Sequence, residues 1–187
     1  MIGYAFCGSF CTLAHSLGEL RGLVSTGYDV IPIMSFNVYD TDTRFFVAED
    51  FRKEVERVCG RETVHTIKDA EPFGPKIKLD ALVISPCTGN TLAKMANGIT
   101  DTPVCMAAKA QLRADRPVLI ALSSNDALSA NLKNIGTMLQ RKSVYFVPML
   151  QDDPIGKPHS LMADFKALPE ALEKALRGEQ IGKLFVN

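Results

Sequence analysis

The stretch Ser85-Pro86-Cys87-Thr88-Gly89-Asn90-Thr91 decides the fold. Ala81-Leu82-Val83-Ile84 before it is a short apolar run of the kind that makes a buried strand. Leu92, Met95, Ala96 and Ile99 after it fall at helical spacing on one face. The order is therefore strand, tight polar loop, helix. The loop sets hydroxyls and an amide where a helix begins. There the first backbone N–H groups lack partners and the helix dipole is positive. Such a corner attracts an anion, most often a phosphate. The same residues also suit an N-cap and a proline turn, and taken alone they do not separate the two uses.

Two further corners of this kind flank the first. Ile2 to Phe6 reads as a buried strand, Cys7-Gly8-Ser9-Phe10-Cys11-Thr12 as a glycine-and-hydroxyl turn, and Leu13, Leu17, Leu20 and Val24 as a helix stopping near Gly27. Ser9 and Thr12 also suit helix caps. Val118 to Leu122 is another strand, followed by Ser123-Ser124-Asn125-Asp126 and a helix carrying Leu132, Ile135 and Leu139.

Val30 to Met34 is a strand ending at Ser35, and Pro32 within it points to an edge or irregular position. A dinucleotide site usually sets Asp or Glu at this strand end. Serine there suits a phosphate or a flavin edge better. No G-x-G-x-x-G follows the first strand, and no Walker A sequence occurs. Asn37 to Arg44 is a polar loop after a strand end, where ligands sit in open α/β sheets. Phe51, Val55 and Val58 mark a helix stopping at Gly60, and Thr63 to Ile67 a short strand whose His65 reads as structural or surface. Val144 to Val147 is the last clear strand, and Asp152 to Pro158 a loop. Ser160 is expected to cap a terminal helix holding Leu161, Phe165, Leu172 and Leu176, with Pro169 starting a fresh turn or kinking it.

Strands alternating with helices predict a single α/β domain over residues 1–187. Its form is a doubly wound, Rossmann-like parallel sheet with helices on both faces. Loops after successive strands then gather on one edge. Gly8-Ser9, Ser85 to Thr91 and Ser123 to Asp126 converge there, and Ser35 joins them. Convergence favours a phosphate-bearing ligand over helix capping.

The totals exclude several classes. The chain has 187 residues, 47% of them apolar, with 21 basic and 21 acidic side chains. No basic run marks a nucleic-acid or membrane surface, and no apolar run approaches membrane-spanning length. The five cysteines lack disulfide-framework spacing, which fits a reduced cytoplasm, and Cys7 and Cys11 find no second pair to complete a metal site.

The central stretch, continued through Leu92 to Asp101, resembles the homo-oligomeric flavoprotein family that includes phosphopantothenoylcysteine decarboxylases and flavin prenyltransferases. Its Pro-Ala-Ser-Ala-Asn-Thr hallmark is matched here by Pro86-Cys87-Thr88-Gly89-Asn90-Thr91. The resemblance implies FMN. Its phosphate would lie near Gly8, Ser9 and Ser35 and its ring beside Pro86 to Thr91, including Thr88 and Asn90, with Ser85 and Ser123 as further contacts. It also implies a trimer-based homo-oligomer that completes its flavin site across protomers. The segment Leu92 to Ile99 and the alanine-rich Val104 to Arg113 are the expected contact.

Further segments resemble one branch, the B subunits of dipicolinate synthases. These are Thr43-Arg44-Phe45, Glu71-Pro72-Phe73-Gly74-Pro75-Lys76, Pro103 to Arg113, Ser124 to Leu128 and Tyr145 to Pro148. That branch implies an oxidoreductase role in making dipicolinate from a dihydrodipicolinate precursor during sporulation. It also implies a partner, the A subunits of the same synthases, which alone would bring NAD(P). The family's decarboxylases carry Gly-His-Ile where Gly74-Pro75-Lys76-Ile77 stands. They carry Pro-x-Met-Asn-x-x-Met-Trp where Ser123 to Leu128 stands, and this chain has no tryptophan. A dicarboxylate substrate calls for cations, so Arg44 and Lys76, with Asp126 as an acid, are the candidate catalytic residues. Lys94, Lys109 and His65 are further candidates. A cysteine-type decarboxylase and a non-catalytic scaffold remain alternatives.

Overall fold

Side-chain alternation along the strands builds two cores on opposite faces of one sheet. The computed structural model describes residues 1–186. In chain order the elements are β1 (Ile2–Phe6), α1 (Leu13–Ser25), β2 (Val30–Met34), α2 (Phe36–Asp40), α3 (Ala48–Cys59) and α4 (Ile67–Ala70). There follow β3 (Ala81–Cys87), α5 (Gly89–Ala96), α6 (Pro103–Arg113), β4 (Val118–Ser124), α7 (Leu132–Leu139), β5 (Val144–Phe146), β6 (Met149–Leu150), β7 (Leu161–Ala163) and α8 (Leu168–Leu176). Tyr4, Phe6, Val83 and Leu119 pack with Leu17 and Leu20 of α1, Phe51 and Val55 of α3, and Leu172 of α8. Ala5, Leu82, Ile84 and Ile120 pack with Leu92 and Met95 of α5, Val104 and Ala107 of α6, and Ile135 of α7. The period of two along each strand divides these sets, as pleated backbone requires.

The sheet has seven strands in the order β2-β1-β3-β4-β7-β6, with β5 also on β4. β1 to β5 pair in parallel. This is the doubly wound α/β arrangement that strand–helix alternation implies. β2 is an edge, and the outer carbonyl of Pro32 accepts from the Val64 N–H at 2.9 Å. The donor that proline lacks would lie on that outer side, so its absence breaks no central ladder. The expected strand at Thr63 to Ile67 shrinks to one bridge between Ile33 and Val64. α4 starts at Ile67, and the Thr66 side chain caps it by accepting from the Asp69 N–H at 3.0 Å.

The carboxyl-terminal region differs from the sequence reading. Ser160 precedes β7 and caps no helix; α8 begins at Leu168, with Pro169 in its first turn, where a missing N–H leaves no bond unmade. The cause lies in β4. β5 covers β4 only from Val118 to Ile120, so the later part of that strand edge is free to pair. β7 fills it antiparallel, Leu161 opposite Ser124 and Met162 opposite Ser123, and β6 pairs with β7. The sheet therefore carries an antiparallel pair beside its parallel strands. The connection from β6 to β7 is thereby brought to the carboxyl edge, beside the polar corners.

Candidate functional site

A cavity of about 510 Å³ opens at that edge, a size typical of cofactor sites. Gly8 and Ser9 from the first corner, Thr88 and Gly89 from the central one and Ser123 from the third all line it. Arg44 and Phe45 stand on one side, and Asp152 and Lys157 from the β6–β7 connection on another. The three corners meet on one concavity, as expected from the parallel winding.

At the first corner helix capping is not the role of the hydroxyls. Neither Ser9 nor Thr12 makes a side-chain capping bond. Thr12 Oγ1 donates to the Ser9 carbonyl at 2.9 Å and approaches Ser9 Oγ at 3.1 Å. That leaves the Ser9 hydroxyl hydrogen free to face the cavity.

At the central corner capping does occur. Thr88 is the N-cap of α5, and its Oγ1 accepts from the Thr91 N–H at 3.2 Å. Thr91 Oγ1 donates in turn to Cys7 Sγ at 3.3 Å. Burial pushes the Cys7 thiol up to about 12, and it holds the Cys87 thiol far above its usual range as well. Both sulfurs stay protonated at neutral pH and serve as packing, not as nucleophiles. Thr91 therefore braces the corner from below.

Ser85 and Pro86 lie beneath the site and not on its wall. Ser85 is fully buried, and its Oγ meets Ser16 Oγ at 3.0 Å in a network with the Tyr4 hydroxyl. The Pro86 carbonyl accepts from the Cys7 N–H at 3.1 Å, tying β3 to the first corner. Asn90 is exposed and off the cavity wall, because the second position of a helix turns away from the cap. Ser35 sits behind the Gly8 turn: its N–H donates to the Phe6 carbonyl at 3.0 Å, and its buried Oγ has no partner.

Two of the candidate catalytic residues stand apart from the cavity of this single chain or are engaged within it. Lys76 is exposed in the segment entering the amino end of β3 and does not line the cavity. Its neighbour Gly74 approaches Ala110 and Arg113 in the last turn of α6, far along that helix from Pro103. Asp126 is held as a hydrogen-bond acceptor. Its Oδ1 accepts from Ser124 Oγ at 2.5 Å, and Asn131 Nδ2 lies 2.9 Å from both carboxylate oxygens. The Ser124 bond chiefly, with help from Asn131, holds its pKa below the usual carboxylate value. Arg44 does stand at the cavity, its guanidinium 4.8 Å from the Phe45 ring centre. Of the other cations considered, Lys94 pairs with Asp101 at 2.8 Å, and Lys109 lies on the exposed side of α6. His65 stacks on Tyr39 with ring centres 3.8 Å apart, a structural role.

The cavity suits a flavin on one test above others. Ser123 is 6% exposed, lines the wall, and its Oγ has no hydrogen-bond partner. A buried hydroxyl left unpaired costs about 1–3 kcal/mol, a cost that a polar ligand at this wall would offset. Gly89 at the head of α5 also lines the wall. Sequence reading missed Asp152 and Lys157, which reach the cavity only because β7 pairs with β4. Among the described residues, no cluster of His, Cys, Asp and Glu suits a metal ion, and no helix is long and apolar enough to cross a membrane.

Comparison with known proteins gives concordant likenesses. The Flavoprotein family profile matches residues 7–173. The dipicolinate synthase B subunit of Bacillus subtilis (strain 168) is 43% identical over 186 residues, covering 100% of this chain and 93% of that protein. The crystal structure of the dipicolinate synthase B subunit from Bacillus halodurans C superposes with a TM-score of 0.91 at 41% identity, covering 100% of this chain and 95% of that one. The FMN-dependent cysteine decarboxylase SpaF superposes with a TM-score of 0.65 at 24% identity, covering 93% and 95%, a likeness of fold.

Proposed function

The chain belongs to the flavoprotein family, and from that premise we propose that it is the flavin-holding component of an oxidoreductase. The reaction we assign to it converts a dihydrodipicolinate precursor to dipicolinate, with a second component of the A type binding NAD(P). The observation that carries the reading is the convergence of three hydroxyl-rich corners on one cavity that also holds Arg44. The full-length likeness to B subunits of dipicolinate synthases supports the same reaction. The absence of histidine from Gly74-Pro75-Lys76-Ile77 weighs against a cysteine-type decarboxylase.

Bound FMN would supply two-electron acceptance from a dihydropyridine ring. The residues of this chain have simpler tasks. Ser9, with the Gly8 turn, offers a hydroxyl and an open backbone to the phosphate. Ser123 offers an unpaired hydroxyl from the end of β4. Arg44, without a carboxylate partner among the described residues, offers a planar pair of donors to a substrate carboxylate. Phe45 beside it keeps that part of the cavity apolar.

We further read the active form as a trimer-based homo-oligomer. Its support within this chain is a groove of about 490 Å³ between the ends of α5 and α6, floored by Met95, Ile99 and Leu112, with Ile99 47% exposed. Lys76 and Asn90, both exposed and off their own cavity, enter a site only across such a contact. We retain Lys76 as a substrate contact in that role.

The test is direct. The purified protein should carry the visible absorbance of a flavin, and mass spectrometry of the ligand released on denaturation should give FMN. Flavin-loaded protein mixed with its A-type partner, NAD(P) and the dihydro precursor should form dipicolinate, followed by its ultraviolet absorbance. A colourless protein that takes up no FMN would remove the reading.

A further inference from the structure

Lys157 has no task in the function above, yet it lines the same cavity. The charged side chains on that wall are Arg44, Asp152 and Lys157. Lys157 Nζ rests 2.9 Å from Asp152 Oδ2. Arg44 comes from the segment after β2, at one edge of the sheet, and Lys157 from the β6–β7 connection, at the other. The polar corners lie between them, so the two cations bracket the cavity.

The base of Lys157 is fixed by backbone bonds. The Lys157 N–H donates to the Asp153 carbonyl at 2.8 Å, and the Gly156 N–H to Asp153 Oδ1 at 2.8 Å. A Cβ at position 156 would meet the Asp153 carboxylate, which would have to turn aside. The loop is also tied to the third corner, because the Leu128 N–H donates to the His159 carbonyl at 2.9 Å. Two cations and one carboxylate leave this wall with one positive charge in excess. A ligand with two carboxylates matches a site with two cations, provided that Lys157 exchanges Asp152 for it.

We propose that Arg44 and Lys157 anchor the two carboxylates of a ring dicarboxylate, and that Lys157 sets the preference for a diacid over a monoacid. This rests on the function proposed above. Asp152 holds the ammonium in place until the ligand arrives.

Isothermal titration calorimetry of the flavin-loaded protein with dipicolinate and with picolinate tests it. Wild type should prefer the diacid. Lys157→Met should weaken dipicolinate about five- to tenfold while picolinate stays within about twofold. Lys157→Arg should keep the preference, and Asp152→Asn should tighten dipicolinate by freeing the ammonium. Equal weakening of both acids in Lys157→Met, no weakening of either, or release of FMN from that variant would each overturn the assignment and leave the flavoprotein reading standing. Wild type that keeps FMN but binds neither acid would overturn the dicarboxylate reaction together with it.

Discussion

Gly89 lies beneath Asp126: a Cβ at position 89 would stand 2.8 Å from Asp126 Oδ1, and closer still to Ser124 Oγ and Asn131 Nδ2. The first turn of α5 and the third corner can meet this closely only because position 89 has no side chain. The neighbours cannot easily yield, since Ser124 and Asn131 are both hydrogen-bonded to that carboxylate. Gly89→Ala should therefore destabilise the fold by about 1–3 kcal/mol, the usual cost of overpacking, and weaken FMN as the corners part. Denaturant unfolding and flavin titration check both effects. An unchanged midpoint would mean that the third corner moves freely.

The Asp126 pin makes stability pH-dependent. Its pKa is lowered in the folded state, first by Ser124 and then by Asn131. The sign follows from linkage: the folded state binds this proton less tightly than the unfolded state does. The contribution is complete above the unfolded carboxylate value of about 4 and declines as pH falls through the lower folded value. Asp126→Asn should flatten stability in that acidic window without altering its pH dependence near neutrality. Urea unfolding of both proteins at several acidic pH values measures this, and parallel profiles would show that the carboxylate contributes no linkage.

Ser123 separates a binding hydroxyl from a structural one. Its Oγ is buried and unpaired. Ser123→Ala should therefore leave the flavin-free protein as stable as before, or more stable by up to about 1 kcal/mol. The same variant should bind FMN about five- to tenfold more weakly, the loss of one ordinary hydrogen bond. Thermal unfolding without flavin, set beside flavin titration, gives the two numbers. Lower stability with unchanged affinity would assign Ser123 to the fold alone.

What the sequence disclosed depended on range. β1 to β4 and the helices α1, α3, α5 and α7 were legible because each strand is a short apolar run and each of these helices carries its own stripe, whereas α2, a five-residue helix inside the stretch Asn37 to Arg44 that reads as a polar loop, was not. The meeting of Gly8, Thr88 and Ser123 followed from parallel winding alone. β6 and β7 were not legible, since strands of two and three residues take their structure from the free edge of β4. Lys157 was hidden with them. Residue type alone marks Asp126 as a possible acid, and only the structure shows that Ser124 and Asn131 engage it as an acceptor. Lys76 stands at a position the resemblance singled out, but distance along a chain does not tell which end of the sheet a loop reaches.

That displacement of Lys76 leads to an assembly test. Arg44 is at its own cavity, whereas Lys76 is exposed outside it. If sites are shared, Arg44 and Lys76 of one working site come from different copies. Arg44→Met and Lys76→Met should then each lower the specificity constant of the reconstituted pair about 10- to 100-fold, as expected for loss of a partly solvated contact to a carboxylate. Co-expression of the two variants as mixed oligomers should restore activity. With random assortment roughly a quarter of the shared sites would hold both wild-type side chains. Dipicolinate formation by the purified mixed oligomer, compared with a mixture of the separately purified variants, reads the recovery. Full activity of Lys76→Met alone would remove Lys76 from any site. Two inactive variants without recovery on co-assembly would place both residues in one copy, against the position of Lys76 in this fold.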